Sequence, residues 1–159
     1  MGFDGIVLRA IVEELNKKII GGRIEKIYQP EREELLIYIR CRSESYGLCI
    51  SASAGHAGIY LTTATMERPP VPPMFCMLLR KHLSGGIVKH VRQEGLERVI
   101  EIGIESADEL EGRALKKLMI EIMGRHSNII LAGSENAIID AIKRVPERLS
   151  RARQVLPGL

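Results

Sequence analysis

Ile87-Val88-Lys89-His90-Val91-Arg92-Gln93, Glu94-Gly95-Leu96-Glu97 and Arg98-Val99-Ile100-Glu101-Ile102-Gly103-Ile104-Glu105 form the stretch whose reading decides the fold. The outer runs are rich in Val and Ile and alternate apolar with polar residues, the period of a half-buried strand. Only four residues separate them, and Gly95 supplies the freedom a tight connection needs. Two strands joined this closely pair antiparallel. A parallel pair would need a crossover of a dozen or more residues.

Working outward, Gly85-Gly86 ends a helix that begins at Met74 and runs through Phe75, Cys76, Met77, Leu78, Leu79, Arg80, Lys81, His82 and Leu83. Its apolar surface is wide, which predicts a core helix, and its cations sit in the last turn, where the helix dipole favours them. Pro69-Pro70-Val71-Pro72-Pro73 leads into it as a stiff extended connector. Further back, Asp4 can cap a first helix with a stripe of Val7, Ile11, Leu15 and Ile19, stopped by Gly21-Gly22. Short strands are predicted over 23–28, 34–40, 46–51 and 58–61. Beyond the deciding stretch, 115–123 and 128–132 flank Gly124-Arg125-His126-Ser127, a last strand covers 137–143, and Pro146 opens a short basic segment. About two helices and about eight strands, irregularly ordered and without an internal repeat, predict an α+β fold with mostly antiparallel sheets. Length agrees with one domain over residues 1–159.

Composition narrows the function classes. Hydrophobic residues at 45% and charged residues at 27% fit a globular domain rather than a disordered one. Aromatics are only 4%, with no Trp, so the core is aliphatic and an aromatic base-stacking platform is not expected. The net charge is +3, but residues 111–159 hold nine basic and five acidic residues. The basic excess therefore lies in the last third, where Lys143, Arg144, Arg148, Arg151 and Arg153 face only Glu147 across 143–159. Arg suits bidentate phosphate contact. Cys41, Cys49 and Cys76 form no C-x-x-C motif, no secretory signal follows Met1, and Ile6–Ile20 is broken by charges. A reducing cytoplasm, buried or idle thiols and no membrane association are expected.

The chemistry of common enzyme sites is missing. Leu83-Ser84-Gly85-Gly86 lacks the Lys-Ser/Thr tail of a phosphate loop, and no G-x-S-x-G elbow surrounds Ser51 or Ser53. His56, His82, His90 and His126 have no partner at metal-ligand spacing. No catalytic residue, metal or cofactor is expected. What remains is polar residues on turns that a core does not explain. Gly124-Arg125-His126-Ser127-Asn128 crowds a guanidinium, an imidazole and a hydroxyl onto a predicted hairpin turn, groups suited to phosphate and 2′-hydroxyl contact. Glu97-Arg98 places an acid and a base at the start of a strand.

Several of these segments together resemble the NFACT family of ribosome quality-control factors. The resemblance rests on Asp4-Gly5, Gly22-Arg23-Ile24, Gln29-Pro30, Pro73 to Leu83, Ile120 to Ile129, Ser150-Arg151 and Leu156-Pro157-Gly158. It runs through nearly the whole chain and corresponds to the family's N-terminal domain alone. The family's helix-hairpin-helix, coiled-coil and C-terminal domains are not in these 159 residues. The resemblance implies a fold similar to the N-terminal domain of formamidopyrimidine-DNA glycosylases, β-sandwich-like with about two helices. It implies binding to tRNA and to a large ribosomal subunit holding peptidyl-tRNA, and untemplated C-terminal alanine tailing in which the ribosome makes the bond. The family's functional Asp-Arg pair maps to Glu97-Arg98, with the acid one methylene longer. With Arg125, His126, Ser127, Asn128, Arg151 and Arg153 it makes up the expected RNA-facing set.

Two other functions compete. Bacterial members of this family also carry the name of fibronectin-binding proteins, so a surface adhesin is one alternative, opposed by the missing signal and the free thiols. A DNA-repair lyase is the other. The similar glycosylases use an N-terminal proline followed by Glu, and this chain has Gly2-Phe3.

Overall fold

The computed structural model describes residues 5–63, 71–93, 95, 97–108, 110 and 112–144. Helix α1 (Gly5–Lys18) leads into strands β1 (Arg23–Glu31), β2 (Glu34–Cys41), β3 (Glu44–Ser51) and β4 (Gly58–Thr62). Helix α2 (Met74–Leu83) leads into β5 (Ile87–Gln93), β6 (Val99–Asp108), β7 (Gly112–Glu121), β8 (Asn128–Ala132) and β9 (Ile138–Ala141). Every strand pairing is antiparallel, in the order β4-β3-β2-β1-β5-β6-β7-β8-β9. The fold is α+β, as the clustered short strands predict, with nine strands among the described residues. They make one continuous ladder of two wings, pinched where β1 meets β5 through the single register pair Arg23↔Ile87.

Inward residues of both wings share one core. Ile24, Ile37 and Ile50 from the first wing and Val91, Ile102 and Leu118 from the second pack with Leu8, Leu15, Leu79 and Leu83 of the helical segments. The α1 stripe is turned from the expected one: Leu8, Leu15 and Ile19 are fully buried, Ile11 and Val12 pack against them, and Val7 is only half-buried. Strict spacing of four drifts about 40° per step around a 3.6-residue helix, so a stripe holds one face only by mixing steps of three and four. Asn16 then pins α1 to the sheet, its Nδ2 donating to Val91 O at 2.8 Å. In α2, Phe75, Cys76, Leu79 and Leu83 are buried, as a core helix requires, while Met74 and Met77 face outward.

The chain contains a repeat that its sequence conceals. Gly21 and Gly85 both take a positive φ, +82° and +77°, in the turn between helix and strand. The following glycine is crowded in both places. A Cβ on Gly22 would lie 2.7 Å from Ile39 Cγ2 and 2.9 Å from Ile19 O; on Gly86 it would lie 2.7 Å from Ile104 Cγ2 and 2.9 Å from Leu83 O. The backbone bonds are reciprocal: Gly21 N to Val88 O and Val88 N to Gly22 O match Gly85 N to Ile24 O and Ile24 N to Gly86 O, all 2.8–2.9 Å. Both leading strands carry a bulge at the same place, between Ile24 and Lys26 and between Val88 and His90. The molecule is thus two helix–glycine–glycine–meander units about a local twofold axis. No described helix is long and apolar enough to cross a membrane.

Candidate functional site

Of the residues singled out by the sequence, Glu97, Arg98 and the Arg125–Asn128 turn lie at one end of the second wing. Val99 opens β6 opposite Glu121 of β7, and Glu121 stands opposite Asn128 of β8. Arg98 lies just before this row, and its carbonyl accepts a hydrogen bond from Ile122 N–H at 2.9 Å. That bond sets Arg98 beside the β7–β8 connection carrying Arg125. Glu97, Arg98, Arg125 and His126 are all exposed.

The β7–β8 connection is a 3₁₀ turn, Gly124–His126, rather than a tight hairpin. His126 N bonds Met123 O at 3.0 Å and Ser127 N bonds Gly124 O at 3.1 Å, the i−3 pattern of a 3₁₀ turn, with Gly124 at φ +59°. Its polar residues divide into two groups. Arg125 and His126 point outward, with Arg125 Nε donating to His126 Nε2 at 3.4 Å. Ser127 and Asn128 turn inward and are 0% and 2% exposed. Ser127 Oγ accepts Met123 N–H at 2.8 Å. Asn128 Oδ1 accepts from Ile129 N at 2.9 Å and Lys143 N at 3.1 Å, and its Nδ2 donates to Lys143 O at 3.0 Å. These two expected RNA contacts are spent on holding the turn. Lys143 adds a brace: its Nζ donates to Arg125 O at 3.4 Å and lies 3.6 Å from Glu33 Oε2 of the first wing. Arg151 and Arg153 lie outside the described residues.

Beside Glu97, the outer face of the second wing forms a groove of ≈ 400 Å³. Met119, Ile130 and Ile138 give it an apolar floor, and Arg92, Glu97, Glu101 and Glu121 give it a charged border. Glu101 organises the border. Its Oε2 lies 2.7 Å from His90 Nε2 and 3.0 Å from Arg92 Nε, and its Oε1 lies 3.8 Å from Lys117 Nζ. The His90 ring sits over Gly103, where an added Cβ would lie 2.1 Å from its Cε1. Glycine at that place lets the imidazole reach Glu101. Sequence reasoning passed over Glu101, Arg92 and Lys117. The only sign of them is the polar half of each strand's alternation, which any solvated sheet face shows.

The three cysteines are buried and unpaired, as expected. Burial pushes the Cys49 and Cys76 thiols above their ordinary pKa, so both stay protonated at neutral pH. Among the described residues no three His, Cys, Asp or Glu side chains converge as metal ligands would. The groups at this end can pair with an anion, donate hydrogen bonds and accept them.

The α+β frame agrees with the family comparison. The chain belongs to the NFACT family: the pattern described as NFACT N-terminal and middle domains matches residues 4–159. The Rqc2 homolog RqcH of Bacillus subtilis is 43% identical over 159 residues, which is 99% of this chain and 28% of that protein. The ribosome quality control complex subunit NEMF of Homo sapiens is 29% identical over 143 residues, 89% of this chain and 12% of that protein. The crystal structure of the N-terminal domain of the fibronectin-binding protein PavA from Streptococcus pneumoniae superposes with a TM-score of 0.93 at 39% identity. That match covers 99% of this chain and 60% of the other. The chain thus spans less than a third of the two full-length relatives described.

Proposed function

We propose that this domain is the tRNA- and large-subunit-binding part of a ribosome-associated quality control factor that directs untemplated C-terminal alanine tailing. The relatives named as quality control factors support the role. The observation that carries the RNA contact is the Ile122–Arg98 backbone bond, which brings two exposed arginines from separate connections to one edge. Cations placed this way suit two phosphates of one strand, with the exposed Glu97 and His126 near them to meet bases or 2′-hydroxyls. The domain works as a binding and orienting element in the cytoplasm, and the peptide bond is left to the ribosome. Arg98→Ala should keep the fold, because exposed charges contribute only about 0–1 kcal/mol. It should weaken tRNA binding by roughly 1.5–3 kcal/mol, the worth of a charge-assisted hydrogen bond. The wild-type affinity should fall with salt by about 0.7–0.9 in log–log slope per phosphate contacted. Salt-independent binding, or an Arg98→Ala variant that folds and binds unchanged, defeats the proposal.

A second reading, fibronectin binding, is favoured by the name of the PavA relative. Immobilised fibronectin challenged with the domain separates the two. Saturable binding that survives Arg98→Ala supports the adhesin.

A further inference from the structure

We infer that Gln93 is a positioning residue for the Arg98 contact. The inference rests on the reading that Arg98 engages RNA. Gln93 ends β5, where its ladder partner is Ile100. Its Nε2 donates to Glu97 O and, at 3.1 Å, to Gly5 O. One amide group therefore ties the residue before Arg98 to the first turn of α1. Arg9, a turn further along α1, donates from Nη2 to Gly95 O at 2.7 Å. The connection that carries Arg98 is fastened at two points to a helix itself pinned to β5, while Ile122 holds Arg98 from the other side.

The repeat supplies an internal comparison. Gln29 occupies the equivalent place in the first wing, and its Nε2 donates to Arg32 O at 2.8 Å. Closing the hairpin with a glutamine amide is thus common to both wings and is part of the fold. The bond onward to α1 and the Arg9 tether belong to the wing that presents Arg98. Both acceptors of Gln93 Nε2 are carbonyls, so the residue must donate twice. Among the described residues its Oε1, like that of Gln29, is buried with no hydrogen-bond partner. The group in use is the donor end.

The test uses this chain with bulk tRNA at low salt, read by binding affinity and by the unfolding midpoint. Gln93→Met keeps length and removes both donors; Gln93→Lys restores a donor. Gln93→Met should weaken binding about tenfold, the equivalent of ~1.4 kcal/mol, and Gln93→Lys should recover most of it. In an Arg98→Ala background, Gln93→Met should add less than about twofold, because no contact remains to be positioned. Arg9→Ala, an exposed change that leaves the core alone, should weaken binding in the same direction if Gln93→Met folds poorly. Normal binding by Gln93→Met and Arg9→Ala beside a defective Arg98→Ala overturns the inference. So do equal losses in the Met and Lys variants, or losses that multiply with Arg98→Ala. If Arg98→Ala itself binds normally, the RNA reading fails and the inference falls with it, a result distinct from the others.

Discussion

Gly86→Ala adds one methyl group at the point where the two wings join. The added Cβ would lie 2.7 Å from Ile104 Cγ2, 2.9 Å from Leu83 O and 3.1 Å from Ser106 Cβ. Carbon atoms in contact prefer about 3.5–4.0 Å, so the new atom enters the repulsive range of the Ile104 methyl and crowds two more neighbours. Relief is restricted. Leu83 O accepts the Gly86 N–H bond at 2.9 Å, and Gly86 O accepts from Ile24 N across the join, so moving the backbone strains both bonds. Overpacking of this kind typically destabilises by about 1–3 kcal/mol. In a domain of this size each kcal/mol lowers the melting midpoint by roughly 2–4 °C. Gly22→Ala should match Gly86→Ala, because its clashes with Ile39 Cγ2 and Ile19 O have the same lengths. Gly55→Ala is the control. A Cβ there meets nothing within 4 Å and φ is ordinary, so the change should stay within about 0.5 kcal/mol. Calorimetric melting of the three variants decides the matter. If Gly22→Ala and Gly86→Ala melt with wild type, the close approach at the join, and the symmetry drawn from it, are wrong.

Leu79→Ala removes a fully buried side chain from α2 and should destabilise by about 2–5 kcal/mol, with half-buried Leu78→Ala well below it, measured by denaturant unfolding. Asn128→Ala strands Ile129 N–H and the Lys143 backbone and should lose about 1–3 kcal/mol. Hydrogen exchange should rise at the 3₁₀ turn and Lys143 before it rises elsewhere. Glu97→Asp should preserve tRNA binding and Glu97→Lys should not, read by the same affinity assay. Burial first, then Lys116 and Lys81, hold the His82 pKa below its ordinary 6.5, so the unfolded chain takes up that proton more readily than the folded one. Stability should therefore decline as pH falls below 6.5, and His82→Gln should flatten that part of the melting-versus-pH curve.

Element types were legible because they rest on local pattern: alternation over β5 and β6, doubled glycines after each helix, the wide apolar surface of α2. The α1 stripe was misplaced by a residue at Val7 because strict spacing of four was given more weight than mixed spacing. The repeat was hidden because what the two halves share is backbone, two glycines and a bulge, while their outward residues differ. Tyr28 stands where Arg92 does, and Leu36 where Glu101 does. Within the site, Glu97, Arg98, Arg125 and His126 could be read as turn residues without a core duty. Ser127 and Asn128 could not be told from them, because which polar groups of a turn face inward depends on Lys143, fifteen residues away. Arg9 on Gly95 spans an even longer separation, and no local pattern records it.

The join also bears on the order in which the chain folds. Every strand pairing but one joins strands adjacent in sequence, so each meander can zip up from its own turns at little entropic expense. The exception, Arg23 against Ile87, must bring together segments more than sixty residues apart, and does so through four main-chain bonds. The first unit is synthesised before the second, and until the second docks it has an apolar face uncovered. Docking of the two units is the step at which refolding should become cooperative, and the crowded glycines at the join are the positions where a mutation should slow it.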